Sequence, residues 1–135
     1  MNIIYSREDK LLMIELTEEI DQHTADKVRR KIDDEIERFI PRKVVFDFSN
    51  ISFMDSSGIG MVLGRYKLIK MLGGELELIN VHKTTKKIFD MSGVSRIIKI
   101  AEQEEKYKIK QQKENIHNQI LNNLDKEEKS EGIIW

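Results

Sequence analysis

Apolar positions in the first hundred residues fall into runs of two different periods. Ile3 to Ser6 and Leu11 to Leu16 are short apolar-rich stretches separated by Arg7-Glu8-Asp9-Lys10. That pattern predicts two strands joined by a tight charged turn, so an antiparallel hairpin opens the chain. Beyond Thr24, Val28, Ile32, Ile36 and Phe39 or Ile40 recur every three to four residues, with Lys27, Arg30, Asp34 and Glu37 between them. This spacing predicts an amphipathic helix capped by Thr24, and Pro41, the sole proline, ends it. Lys43 to Phe48 then has the continuous, β-branched character of a strand covered on at least one face.

From Ser57 onward Ile59, Val62, Leu63, Tyr66, Ile69 and Met71 or Leu72 return to a helical period, and Gly73-Gly74 supply the stop. Glu75 to Asn80 alternates as a strand, about Thr85 to Met91 reads as a short helix stopped at Ser92-Gly93, and a last strand is expected near Ile97 to Ile100. The order is β-β-α-β-α-β-α-β. Strand-helix-strand units impose right-handed crossovers and parallel pairing. The expectation is therefore an α/β fold: a mixed sheet, opened by the hairpin, with helices packed against it.

After about Glu102 the composition shifts to Glu, Lys, Gln and Asn, and Ile109, Ile116, Ile120, Leu121 and Leu124 are too sparse for a core face. Residues 1–102 are expected to form the domain and 103–135 a charged extension, helical and solvated from Gln103 to Leu124 and frayed from Asp125 to Trp135. The apolar ending Ile133-Ile134-Trp135 is unusual for a free terminus.

A chain of 135 residues with 39% hydrophobic residues has material for one core and not for a two-domain enzyme with an interdomain cleft. Its 23 basic and 24 acidic side chains give a formal net charge of -1, so nothing global draws it to nucleic acid or an anionic membrane. Without cysteine it has no disulfide framework, thiol nucleophile or thiolate metal site. The N-terminus lacks the basic flank and apolar core of a secretory signal, and no run of about 18 apolar residues occurs, so a soluble cytoplasmic protein is expected.

The candidate chemistry lies in Phe-Met-Asp-Ser-Ser-Gly-Ile-Gly-Met-Val-Leu-Gly, Phe53 to Gly64. Gly58, Gly60 and Gly64 follow a strand and open a helix, as a dinucleotide fingerprint would. However, the fingerprint's third glycine would fall at Leu63, and no acid ends the next strand to take a ribose hydroxyl. No Gly-Lys-Ser or Gly-Lys-Thr marks a P-loop. A nucleophilic Ser56 or Ser57 would need a base among His23, His82 and His117, and no Gly-x-Ser-x-Gly elbow surrounds either serine. The third reading makes the serine a phosphoacceptor at a helix start, where free N–H groups and the helix dipole stabilise a phosphate. Asp55, Ser56 or Ser57 serving only as a helix cap is the structural alternative, and the two roles are compatible.

Together with Glu-Leu-Thr-Glu-Glu-Ile-Asp-Gln-His-Thr-Ala before it and Lys-Lys-Ile-Phe-Asp-Met-Ser-Gly-Val-Ser-Arg-Ile-Ile-Lys-Ile after it, this stretch resembles the anti-sigma factor antagonists of the SpoIIAA type, within the STAS domain family. The resemblance covers about residues 1–102. It implies a non-enzymatic anti-anti-sigma factor without a cofactor of its own, phosphorylated on the serine that follows the aspartate, Ser56 here. It further implies a partner that is both anti-sigma factor and serine kinase, binding ATP and Mg itself and released from a sporulation sigma factor by the unphosphorylated antagonist. A serine phosphatase would regenerate the binding form. Asp21, Asp55, Ser56, Ser57 and Gly58 would lie near the contact, because both segments follow strand ends. The runner-up is a phospho-switch module of the same fold in a stress-response or other regulatory complex. One departure is Glu18, where the family commonly has glycine; the other is the length of the extension.

Overall fold

The computed structural model describes residues 1–103, 113, 114 and 116–124. Its elements are β1 (Asn2–Ser6), β2 (Leu11–Glu15), α1 (Ala25–Phe39), β3 (Lys43–Asp47), α2 (Ser56–Met71), β4 (Glu75–Val81), α3 (Lys83–Ser92), a 3-10 turn at Val94–Arg96, and β5 (Lys99–Glu102). The strands form one sheet in the order β1-β2-β3-β4-β5; β1 and β2 pair antiparallel and all other neighbours pair parallel. This is the mixed sheet and element order expected from the periodicities.

Register explains which face is buried. Leu12 pairs with Val44 and Val44 with Leu76, while Ile14 pairs with Phe46 and Phe46 with Leu78, so these side chains form two rows on one face. Each is buried and packs with Val28, Ile32 and Ile36 of α1, Met61, Val62 and Ile69 of α2, and Phe89 of α3. Successive parallel strands step across the sheet in one direction, so right-handed crossovers put all three helices on that face. On the other face Glu77 pairs with Lys43 at 2.8 Å and lies 4.0 Å from Lys99.

α1 and α2 pack together, and a buried Arg65 on α2 forms an ion pair with Asp33 on α1. Burial pushes the Arg65 guanidinium below its ordinary value, and the Asp33 charge opposes that shift. Arg65 Nη1 also donates to the Met61 carbonyl at 3.3 Å.

Three element ends have identifiable local causes. Thr24 holds the N-cap position of α1 but makes no side-chain cap bond: its hydroxyl is engaged with the Asp21 N–H and the Glu19 carbonyl, while the Asp21 carboxylate takes the His23 and Thr24 N–H groups ahead of the helix. α1 ends at Phe39 with Ile40 as its C-cap, in the left-handed region at φ 45°, and Pro41 follows directly, as expected. The last strand begins at Lys99 because Ile98 closes the 3-10 turn, donating to the Val94 carbonyl at 3.0 Å, and is buried there rather than in the sheet.

The compact unit comprises Met1–Gln103, and the Gln103 N–H still donates to the Val81 carbonyl at 3.0 Å. A second unit spans Glu104–Trp135. Within it residues 113, 114 and 116–124 are helical, and Ile116, Ile120, Leu121 and Leu124 are exposed. The readings for Ile109 and for Asp125 to Trp135 lie outside the described residues. Among the described residues no helix is long and apolar enough to cross a membrane.

Candidate functional site

Two loops leave the C-terminal ends of the adjacent parallel strands β2 and β3, one leading to α1 and the other to α2. A backbone bond from Leu16 N–H to the Asp47 carbonyl, 3.1 Å, extends the pairing beyond the strand ends. Farther out, Ile20 and Met54 form an isolated parallel bridge, both side chains buried. Asp21 and Asp55 each follow a bridge residue, so the topology puts them on neighbouring loops.

Asp55 is the N-cap of α2. Its backbone is extended, its Oδ1 accepts from the Ser57 N–H at 2.8 Å, and its carbonyl accepts from the Gly58 N–H at 3.0 Å. Of the three cap candidates, the aspartate caps. Ser56 is the first helical residue and exposed, and its hydroxyl makes no hydrogen bond to a described residue. Ser57 is half-buried. Gly58 is buried because Met54 lies against it: a Cβ there would stand 2.2 Å from Met54 Cγ and 2.3 Å from Sδ. Gly60 and Gly64 have no such neighbour within 4 Å.

Asp21 is half-buried and turns the other loop into α1. Its Oδ1 accepts from the His23 N–H at 2.8 Å and the Thr24 N–H at 3.0 Å. These backbone donors, Thr24 first, hold its carboxyl below the ordinary range. The Thr24 hydroxyl accepts from Asp21 N–H at 3.1 Å and donates to the Glu19 carbonyl at 2.7 Å.

Sequence reasoning missed Glu19. Its Oε1 accepts from the Ser52 N–H at 3.4 Å and the Ser52 hydroxyl at 3.2 Å, and its Oε2 accepts from the Phe53 N–H at 3.2 Å. One side chain thus ties the two loops together. Glu18, which drew attention as a departure, is exposed and makes no hydrogen bond or ion pair with a described residue. The only local signal for Glu19 was an acid placed after a strand end.

An open cleft of about 290 Å³ lies between the first turns of α1 and α2, lined by Gln22, Ala25, Asp26, Arg29, Ser57 and Gly60 among others. Arg29 lies 3.7 Å from Asp26, so its charge is partly answered there. His82 Nε2 sits 3.2 Å from the Ser49 carbonyl, and His23 is exposed at the entrance to α1. Among the described residues no group of histidine and carboxylate side chains is arranged to hold a metal ion.

The STAS domain model matches residues 2–107. The chain is 42% identical over 94 residues to an anti-sigma F factor antagonist of Paenibacillus polymyxa, spanning 70% of this chain and 80% of that protein. The unphosphorylated form of the anti-sigma factor antagonist SpoIIAA superposes with a TM-score of 0.63 at 29% identity, over 83% of this chain and 95% of that one. The phosphorylated form of SpoIIAA, the Bacillus cell fate determinant, gives 0.58 at 30% identity, over 82% and 96%. The mixed five-stranded sheet, the helices on one face and the family match across the whole compact unit agree: the chain belongs to the STAS domain family.

Proposed function

We propose that the protein is an anti-sigma factor antagonist working as a phospho-switch. The unphosphorylated form binds an anti-sigma factor that is also a serine kinase and so frees a sporulation sigma factor; phosphorylation of Ser56 switches binding off, and a serine phosphatase restores it. The observation that carries this reading is Ser56 itself: an exposed serine, first in a helix capped by Asp55. The likeness to SpoIIAA in both its phosphorylated and unphosphorylated forms supports it.

The chain's part is to present an acceptor and a surface, while ATP and Mg belong to the partner. Phosphate on Ser56 would stand at the positive end of the α2 dipole, where Asp55 already holds the Ser57 and Gly58 N–H groups, so the fold tolerates it. It adds about -1.5 to -2 charges at neutral pH beside Asp55. Asp55, Ser57 and Gly58 flank the acceptor along the chain and Asp21 lies on the neighbouring loop, and a partner closing on them would bring the phosphates of its own nucleotide against the new charge. Repulsion in a partly desolvated contact opposes binding without refolding.

The test is incubation of the chain with a candidate anti-sigma kinase and ATP, followed by intact mass and peptide mapping. A single phosphate on Ser56 is expected. Ser56→Ala should bind the kinase and take no phosphate, whereas Ser56→Asp should bind poorly, both with the parent's circular dichroism. Tight binding of Ser56→Asp would refute exclusion by charge.

A further inference from the structure

The Glu19 carboxylate is exposed, yet it receives two backbone N–H groups and a hydroxyl from a loop 33 and 34 residues away. Bonds to an ionised carboxylate are the stronger class, and in an exposed position they order the loop more than they stabilise the core. The loop they hold is the one that ends in Asp55 and Ser56. Within it Ile51 and Met54 are buried, whereas Phe53 is 64% exposed, its N–H held by Glu19 and its ring turned to solvent. An exposed aromatic on a backbone with little freedom left suits the centre of a protein contact, since little further ordering is lost on binding.

We infer that Glu19 is a positioning residue for the phosphoacceptor loop, and that Phe53, which it holds outward, is an apolar contact for the partner kinase. This rests on the proposed function and deepens it. The Glu19 carboxylate bonds to Ser52 and Phe53 and not to Ser56; it acts by fixing those two residues before the chain reaches the Asp55 cap. Losing it leaves the acceptor hydroxyl chemically unchanged but costs the partner the ordering of the loop. The effect therefore belongs in binding, in KM rather than kcat.

The experiment compares the full-length parent with Glu19→Ala, Glu19→Gln and Phe53→Ala as substrates of the kinase in steady-state phosphorylation, with amide hydrogen exchange on each free protein. Glu19→Ala is expected to raise KM roughly fivefold, about 1 kcal/mol, at unchanged kcat, and to speed exchange at Ser52 and Phe53 while the sheet amides keep the parent's protection. Glu19→Gln, retaining one acceptor oxygen, should fall between. Phe53→Ala should raise KM with exchange at Ser52 unaltered. Parental exchange at Ser52 and Phe53 in Glu19→Ala would show that the carboxylate does not hold the loop. Faster exchange with parental KM would show that holding it is irrelevant to the partner. Either result overturns the inference alone, whereas a parent chain that the kinase does not phosphorylate overturns the functional reading with it.

Discussion

Replacing Gly58 by alanine adds a single methyl group at the point where α2 starts. An ideal Cβ there lies 2.2 Å from Met54 Cγ and 2.3 Å from Sδ, whereas non-bonded carbons settle at roughly 3.5 to 4.0 Å. Met54 is flexible in principle, but it is 1% exposed and its backbone is bridged to Ile20, so its side chain has no solvent to swing into. Overpacking of this kind costs about 1–3 kcal/mol, offset by up to about 1 kcal/mol from the better helix propensity of alanine. The net expectation is a loss of up to about 2 kcal/mol, with a fall in melting temperature of about 4–8 °C per kcal/mol for a domain of this size. Gly60→Ala is the matched control: the same change in the same helix with nothing within 4 Å, so it should be neutral or stabilising by up to about 1 kcal/mol. Urea and thermal unfolding of both variants measure the difference. In a Met54→Ala background the penalty at Gly58 should vanish, because the colliding atoms are gone. Equal melting temperatures for Gly58→Ala and Gly60→Ala would refute the argument that Gly58 is glycine to let Met54 pack beneath the acceptor loop.

Arg65→Ala leaves Asp33 without its partner between α1 and α2; because Asp33 keeps some solvent contact, the loss should be about 2 kcal/mol, below that of a fully buried pair, as measured by urea unfolding. Asp21 has a depressed carboxyl in the folded state, so its contribution is fully present above the ordinary carboxylate range and is lost as the pH falls through the lower folded value. The acid limb of the stability profile should accordingly be shallower in Asp21→Asn than in the parent. Ending the chain after Gln103 should preserve circular dichroism and kinase binding, since that residue makes the last backbone bond to β4, whereas ending it after Ala101 removes that bond and part of β5 and should lower the melting temperature.

Where local pattern decides structure, the chain was readable. The alternation of Leu12 and Ile14, the run through Val44 and Phe46 and the helical spacing of Val28, Ile32 and Ile36 each specify an element, and all of these side chains are buried as the pattern requires. Thr24 takes the N-cap position of α1 that the pattern gives it, but its hydroxyl is drawn back to the Asp21 N–H and the Glu19 carbonyl and makes no cap bond, which only the turn geometry decides. Ile97 to Ile100 resembled a strand because apolar content there serves a 3-10 turn first and the sheet second. At the site, the Asp-Ser-Ser-Gly block was conspicuous, but the bond from Glu19 to Ser52 joins positions 33 residues apart, beyond any local periodicity. Phe53 stands in an apolar run and carries no mark of exposure in the sequence; it is turned outward by the loop between Ile51 and Met54.

The central claim is that a phosphate on Ser56 decides whether the partner is bound. Titration calorimetry of the anti-sigma kinase in the presence of nucleotide, against the unphosphorylated chain and against the chain phosphorylated at Ser56, measures this directly. The account predicts that the phosphorylated form binds at least about tenfold more weakly, ~1.4 kcal/mol, with the two forms giving the same circular dichroism. Equal affinity of the two forms, or a kinase-transferred phosphate that maps outside residues 55–58, would contradict it.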